Sequence, residues 1–324
     1  MPARRLSAVA LTDQPVIVIA GPTAGGKSGL GMDLAERLDG VIINADSMQV
    51  YRDLAILTAR PTAADEARVP HCLYGDRDAA AAGSAAEWVK RAEAAIAAAF
   101  ADSKRAIVVG GTGFYLKALM EGIVPIPLIP ADVRTRSRSR RREIGDIAFH
   151  DELASRDPEM AARLNPGDSQ RVLRAWEVVE ARGRALSDWQ RDPTRAPETR
   201  FRVLVVAPPR EELYRNCDRR FIDMLEAGAV EEVMLLADRA DAEGFDPALP
   251  ILKALGYRQL LAYSRDEMSL DSAIAAAQQE TRNYAKRQLT WLRHQLPNDT
   301  DPHPRIAVKQ YNYVIDDELF SFMS

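Results

Sequence analysis

Residues 15–28 read PVIVIAGPTAGGKS. The first six form a short β-branched apolar run, which predicts a buried strand. The next eight, GPTAGGKS (21–28), fit the spacing G-x-x-x-x-G-K-[ST]. Across Gly21, Pro22, Thr23, Ala24, Gly25 and Gly26 the glycines let backbone N–H groups turn inward on phosphate oxygens. Lys27 adds a point charge, and Ser28 a hydroxyl suited to Mg²⁺. A helix predicted over residues 27–38 would add its partial positive N-terminus. Strand, glycine-rich turn and helix in this order predict a diphosphate or triphosphate site, without saying which phosphate compound it takes.

Working outward, GVIINAD (40–46) reads as a second strand that ends in an acid, and RAIVVGGTG (105–113) as a third. An alanine-rich helix is expected between them from about residue 85 to 100. Strands alternating with helices predict an α/β fold, a P-loop NTPase-like parallel sheet with flanking helices. From Pro125 to about Pro197 no strand pattern occurs; prolines at 125, 127 and 130 are followed by an arginine-dense segment and short helical patterns. This predicts an inserted helical domain. FRVLVVAPP (201–209) restores the buried-strand pattern, with helices expected at about 210–238, 256–263 and 270–296. The expected division is therefore a tail over 1–14, a core over 15–124 and 198–296, the insertion over 125–197 and a polar tail over 297–324.

Bulk properties set the class. The chain has 324 residues, 47% hydrophobic and 28% charged, enough for a folded two-part protein with a sizeable core. Its net charge of −4 means that any grip on nucleic acid must come from a local basic surface. Cys72 and Cys217 lie far apart and no zinc-site spacing is present, which fits a reducing cytoplasm. No apolar run is long enough to span a bilayer, and the N-terminus lacks a signal-peptide core, so no membrane role is expected.

DSMQVYRDLAILTARP (46–61) starts at the carboxyl end of a predicted strand, where open parallel sheets place their sites. Asp46 there could hold a metal, act as a general base, or cap a turn. The third strand ends in Gly110, Gly111 and Thr112 rather than in the acid usual in NTP-hydrolysing enzymes. By spacing, Thr112 is also a helix N-cap candidate. Two rivals share the P-loop: a small-molecule or nucleotide kinase with its lid after Pro125, and a non-catalytic RNA-binding module.

GPTAGGKS, DSMQVYRDLAILTARP and GGTGFY (110–115) together resemble the tRNA dimethylallyltransferase family, also called tRNA isopentenyltransferases. Further matches follow in order: DP..A..L.P.D.QRVLRAWEV (157–179), RGRALSDWQ (182–190), RRFIDMLEAGAVEEV (219–233), ALGYRQ (254–259) and T.NYAKRQLTWLR (281–293). They run from about Pro15 to Arg293.

The resemblance implies transfer of the dimethylallyl group of dimethylallyl diphosphate to N6 of adenine 37, beside the anticodon of tRNAs reading codons that begin with U. By similarity, Asp46 is the base for the exocyclic amine, Arg220 reaches the diphosphate, Thr112 lies by the reacting adenine, and Thr23 neighbours the leaving group. Asp46, Ser47, Met48 and Gln49 would surround the target base. Thr112, Arg134, Gln170, Arg171, Val172, Leu173 and Arg174 would be further tRNA contacts. Arg136, Arg138, Arg140, Arg141 and Arg142 form a basic stretch that either meets RNA phosphates or is a solvated face. Trp176, Trp189, Tyr257 and Trp291 are aromatics available for core or for stacking.

The chain departs from the family pattern at Leu57 and Arg60, where glycine and lysine are common. His71–Cys72 stands for a His-His pair, and Asn216–Cys217 for an Arg-Ile pair. No C-terminal zinc-finger pattern is present, which implies the bacterial type. The expected partners are the tRNA anticodon stem-loop and the prenyl diphosphate, with Mg²⁺ as cofactor, no stable protein partner and a monomeric state.

Overall fold

The computed structural model describes residues 14–124, 126, 128–192, 194, 197–298, 303, 305–311 and 313–323. Pro125, Pro127 and residues 1–13 of the expected N-terminal tail lie outside the described residues. Two compact units emerge, one of residues 1–120 with 197–324 and the other of 121–196.

The larger unit is built on one sheet. Its strands are β1 (Val16–Ala20), β2 (Gly40–Asn44), β3 (His71–Cys72), β4 (Arg105–Gly110), β5 (Phe201–Val205) and β6 (Ile306–Gln310). They pair in parallel in the order β3-β2-β4-β1-β5-β6. Every residue of β1 and β2 is buried, which is why both read as continuous apolar runs rather than alternating ones. Parallel pairing brings the carboxyl ends of β1, β2, β4 and β5 to one side of the sheet. The glycine-rich turn after β1 thus meets the acid after β2 and the Gly-Gly-Thr after β4.

Helices cover the sheet. α1 (Lys27–Leu38) buries Leu30, Met32, Leu34 and Ala35 against Ile17, Ile19 and Ile107. α2 (Ala63–Arg68) opens with a capping box between Thr62 and Asp65. α3 (Ala85–Ala101) is capped by Ser84, whose hydroxyl accepts the Glu87 N–H. α4 (Gly113–Glu121) follows the Gly-Gly-Thr turn.

The smaller unit holds α5 (Ala131–Arg156), α6 (Pro158–Arg163), α7 (Ser169–Arg182) and α8 (Leu186–Gln190). α5 breaks its regular geometry at Gly145, at φ 80°. Phe149, Leu153, Val172, Trp176 and Val178 form its core, with Phe149 and Trp176 at 5.4 Å between ring centroids. Fully buried Asp157 caps α6 at the Met160 N–H and accepts from Ser187 as well.

Back in the larger unit, α9 (Arg210–Glu226) and α10 (Ala229–Glu243) split the single helix expected over 210–238. Gly228, at φ 99°, makes the break. α11 (Tyr257–Ser264) and the 26-residue α12 (Leu270–Gln295) follow, the latter capped by Ser269. The tail expected to be polar instead completes the fold. β6 adds to β5 in register, and α13 (Asp317–Met323) seats Leu319 and Met323, 2% and 1% exposed, in the core beside α1. Among the described residues no helix is long and apolar enough to cross a membrane.

Candidate active site

The turn after β1 is held in shape by its own backbone. Gly26 sits at φ 92° as the residue before α1, a conformation open to glycine at little cost. The Gly25 N–H bonds to the Pro22 carbonyl at 3.1 Å, and Lys27 Nζ reaches the same carbonyl at 2.6 Å. Burial pulls the Lys27 ammonium down to about 8, an effect that nearby Asp46 opposes and Arg220 reinforces. From α9, the Arg220 guanidinium donates to the Thr23 hydroxyl, and burial lowers Arg220 too. Two neighbouring cations, each partly buried, form a place where an anion is favoured.

At the end of β2, fully buried Asn44 braces Asp46 from both sides. Its side-chain oxygen accepts the Asp46 N–H at 2.7 Å, and its amide donates to the Asp46 carbonyl at 3.0 Å. The Asp46 carboxylate accepts the Met48 N–H at 2.8 Å, so it does serve the turn, and it also lines a cavity. Thr112 stands just before α4, its carbonyl accepting the Leu116 N–H at 3.2 Å. Its hydroxyl accepts the Ser47 N–H at 3.0 Å and is hydrogen-bonded to Tyr284 of α12. Burial, and then Asp46, push the Tyr284 hydroxyl up, so it stays neutral.

The cavity has a volume of about 310 Å³. Asp46, Thr23 and Arg220 give it a polar side, while Met48, Leu57 and Phe221 are among its apolar walls. Tyr284 and Arg287 of α12 line it as well, and the Arg287 guanidinium lies 5.6 Å from the Tyr284 ring centre. Buried Cys217 also lines it, though its sequence gave no sign of a site role. Leu57, the departure from glycine, packs its side chain toward Gly256.

Two residues holding this arrangement escaped the sequence reading. The Glu232 carboxylate accepts the N–H groups of Ala55, Ile56 and Leu57 at 2.6, 2.9 and 2.9 Å. Gln288 bonds to both the P-loop and the Gly-Gly-Thr turn. Both stand inside motifs already quoted, but nothing in a linear sequence tells which loop a helical side chain will face. Gln49, expected by the target base, spends its amide on the carbonyls of Thr58 and Ala59 at 2.9 and 2.7 Å. Arg60 similarly bonds to the carbonyls of Tyr51 and Arg52.

Among the described residues no cluster of three or more His, Cys, Asp or Glu could hold a metal. Ser28 is exposed in the first turn of α1. Ser28 lines a second cavity, beside Asp33 and Arg60, rather than the one lined by Asp46, Thr23 and Arg220; a lone hydroxyl there would hold Mg²⁺ only with its other ligands from substrate phosphates and water.

The remaining expected contacts belong to the smaller unit. Gln170, Arg171 and Arg174 are exposed on α7, and Leu173 is half-buried. Val172 is a correction: at 1% exposure its side chain fills the unit's core and offers nothing to RNA. Arg134 and Arg174 both lie near buried Glu177, whose carboxyl is pushed up by burial against the pull of Arg174, Arg134 and Arg138. In the basic stretch of α5, Arg136 pairs with Asp132, Arg140 with Glu143 and Glu152, and Arg141 with Asp146. Trp176 and Tyr257 are core residues, 8% and 4% exposed, Trp189 packs against the smaller unit's core, and Trp291 lies against Gly113.

The family described as IPP transferase matches residues 49–295. A tRNA dimethylallyltransferase of Rhodospirillum centenum is 55% identical over 87% of this chain and 90% of its own length. That of Nitrobacter hamburgensis is 50% identical over 92% and 94%. Among solved structures, the full-length tRNA isopentenylpyrophosphate transferase of Bacillus halodurans superposes with TM-score 0.64 at 29% identity, covering 96% of this chain and 95% of that one. A eukaryotic dimethylallyltransferase acting on tRNA gives TM-score 0.76 at 27% identity, over 92% and 74%. With the family match spanning most of the chain and half or more of the aligned residues identical in such relatives, this protein belongs to the IPP transferase family of tRNA dimethylallyltransferases.

Proposed function

We propose that this chain transfers the dimethylallyl group of dimethylallyl diphosphate to N6 of the adenine that follows the anticodon in tRNA, as a cytoplasmic monomer. The observation that carries the reading is that Asp46, Thr23 and Arg220 line one cavity. A carboxylate and an anion-binding pair thus face a common space, as a reaction needs when one substrate loses a proton and the other an anion.

The adenine amine is a weak nucleophile because its lone pair is delocalised. Hydrogen-bonded to Asp46, it gains electron density as N6 attacks the first carbon of the prenyl group. The N–C bond forms, the C–O bond to diphosphate breaks, and the proton passes to the Asp46 carboxylate. Diphosphate leaves with the bonding electrons, and its growing charge meets Lys27, the P-loop amides and Arg220, whose fork suits two oxygens. Mg²⁺, held by Ser28 and the diphosphate oxygens, would supply further positive charge when bound. Met48, Leu57 and Phe221 suit the apolar parts of either substrate and keep water from the reacting carbon. Arg134, Gln170, Arg171 and Arg174 supply candidate contacts to the anticodon stem-loop.

The test incubates the protein with Mg²⁺, labelled dimethylallyl diphosphate and tRNA carrying adenine 3′ of an A-ending anticodon, beside Asp46→Ala and an ATP-only control. Label entering tRNA adenine with wild type, and greatly reduced in a variant that still binds diphosphate, is expected. ATP turnover without transfer to any tRNA would replace this reading with a kinase.

A further inference from the structure

Gln288 is 5% exposed and spends both ends of its amide on two different loops. Its Oε1 accepts the Thr23 N–H at 2.8 Å, and its Nε2 donates to the Gly111 carbonyl at 2.8 Å. One partner can only donate and the other only accept, so the amide has a single satisfied orientation. The approach is close: a Cβ on Gly111 would lie 2.3 Å from Gln288 Nε2 and 2.8 Å from the Gly21 carbonyl. Only glycine fits there.

Each loop carries one half of the proposed chemistry. Thr23 takes the Arg220 guanidinium at the diphosphate end. Thr112, next to Gly111, accepts the Ser47 N–H at 3.0 Å, and Ser47 follows Asp46. Every other step in this path is local to one end; the Gln288 amide spans the two.

We propose that Gln288 is a positioning residue, which fixes the separation of the diphosphate-binding end from the Asp46 end and so aligns the two substrates. This rests on the transferase reading above. Substrate alignment is sensitive to displacement, and a shift of about 1 Å costs on the order of 100-fold in rate. Since Gln288 need not touch either substrate, its loss should reduce kcat and leave each KM nearly unchanged.

The experiment measures steady-state transfer by wild type, Gln288→Met and Gln288→Glu from mildly acidic to mildly basic pH. Gln288→Met keeps the shape without the polar atoms; kcat should fall on the order of 100-fold with both KM values within about threefold. Gln288→Glu adds a readout that packing alone would not move. As a carboxylate it accepts from Thr23 but opposes the Gly111 carbonyl; protonated, it donates its O–H there. Its kcat relative to wild type should therefore climb as pH falls. A pH-independent ratio would overturn the proposal, as would a raised KM at unchanged kcat or a kcat within about threefold of wild type in both variants. Should Gln288→Met melt below the assay temperature, the pH ratio of Gln288→Glu decides alone. Wild-type transfer with unaffected variants would sink only the role of Gln288, whereas no transfer by wild type would sink the transferase reading with it.

Discussion

At Lys27 the demands of binding and of folding oppose one another. Its ammonium is pulled from an ordinary 10.5 to about 8 because burial disfavours the charge more than Asp46 supports it. A diphosphate needs that charge. Below pH 8 the free protein already carries it, so affinity for a non-reacting prenyl diphosphate analogue should be flat; above pH 8 a proton must be taken up and affinity should fall, approaching tenfold per pH unit. Calorimetry in buffers of different ionisation enthalpy would detect that uptake, and Lys27→Met should show neither the slope nor the proton. The same shift sets a stability expectation of opposite sense. In the ligand-free protein the folded state binds its proton less tightly than the unfolded chain, so the penalty is full below pH 8 and fades as pH rises from there toward 10.5. Lys27→Met should raise the melting temperature at neutral pH, with the gain shrinking above pH 8. A variant that melts lower at neutral pH would show that the burial penalty is compensated by contacts not evident around Lys27.

The elements that build the site were legible in proportion to their burial. β1, β2 and β4 are central strands whose residues are nearly all buried, so each appears as an apolar run with a glycine or acid at its end. β3 has two residues and β6 is an edge strand with only Ile306 buried, so neither leaves a periodic trace. Asp46 and Lys27 were findable because their motifs are local; Gln288 and Glu232 act across 265 and 177 positions of chain, and only the packing of α12 and α10 shows their targets. Two predictions follow from those elements. Glu232→Ala leaves three N–H groups of the 55–57 turn without their acceptor, at a cost of about 1–3 kcal/mol, measurable by urea unfolding. Because Leu57 lines the cavity, the substrate KM should rise in the same variant, and an unchanged KM would mean that the turn holds its place without Glu232. For the tail, Leu319→Ala should cost about 2–5 kcal/mol if α13 is integral to the core. A loss under about 0.5 kcal/mol would place the tail outside the cooperative unit.

Across the whole molecule the difficulty is that a chain of net charge −4 is to hold a polyanion. The field of the molecule as a whole does not attract tRNA, so binding depends on which arginines have charge to spare. Most of the α5 stretch does not: Arg136, Arg140 and Arg141 already face Asp132, Glu143, Glu152 and Asp146. Arg134 and Arg174 instead share one acid, Glu177, whose charged form burial disfavours; burial lowers Arg174 first, Glu177 opposes that, and Arg134 adds a smaller push. Two cations facing one disfavoured carboxylate leave positive charge for a phosphate. tRNA affinity should therefore fall as salt rises, and Arg134→Ala with Arg174→Ala should reduce the slope of log affinity against log salt by about two. Arg140→Ala with Arg141→Ala should leave the slope nearly as it was, since those charges are neutralised before RNA arrives. Filter binding across a salt series separates the two cases. If the second pair flattens the slope and the first does not, RNA displaces the acids of α5, and the dense arginine run becomes the binding surface.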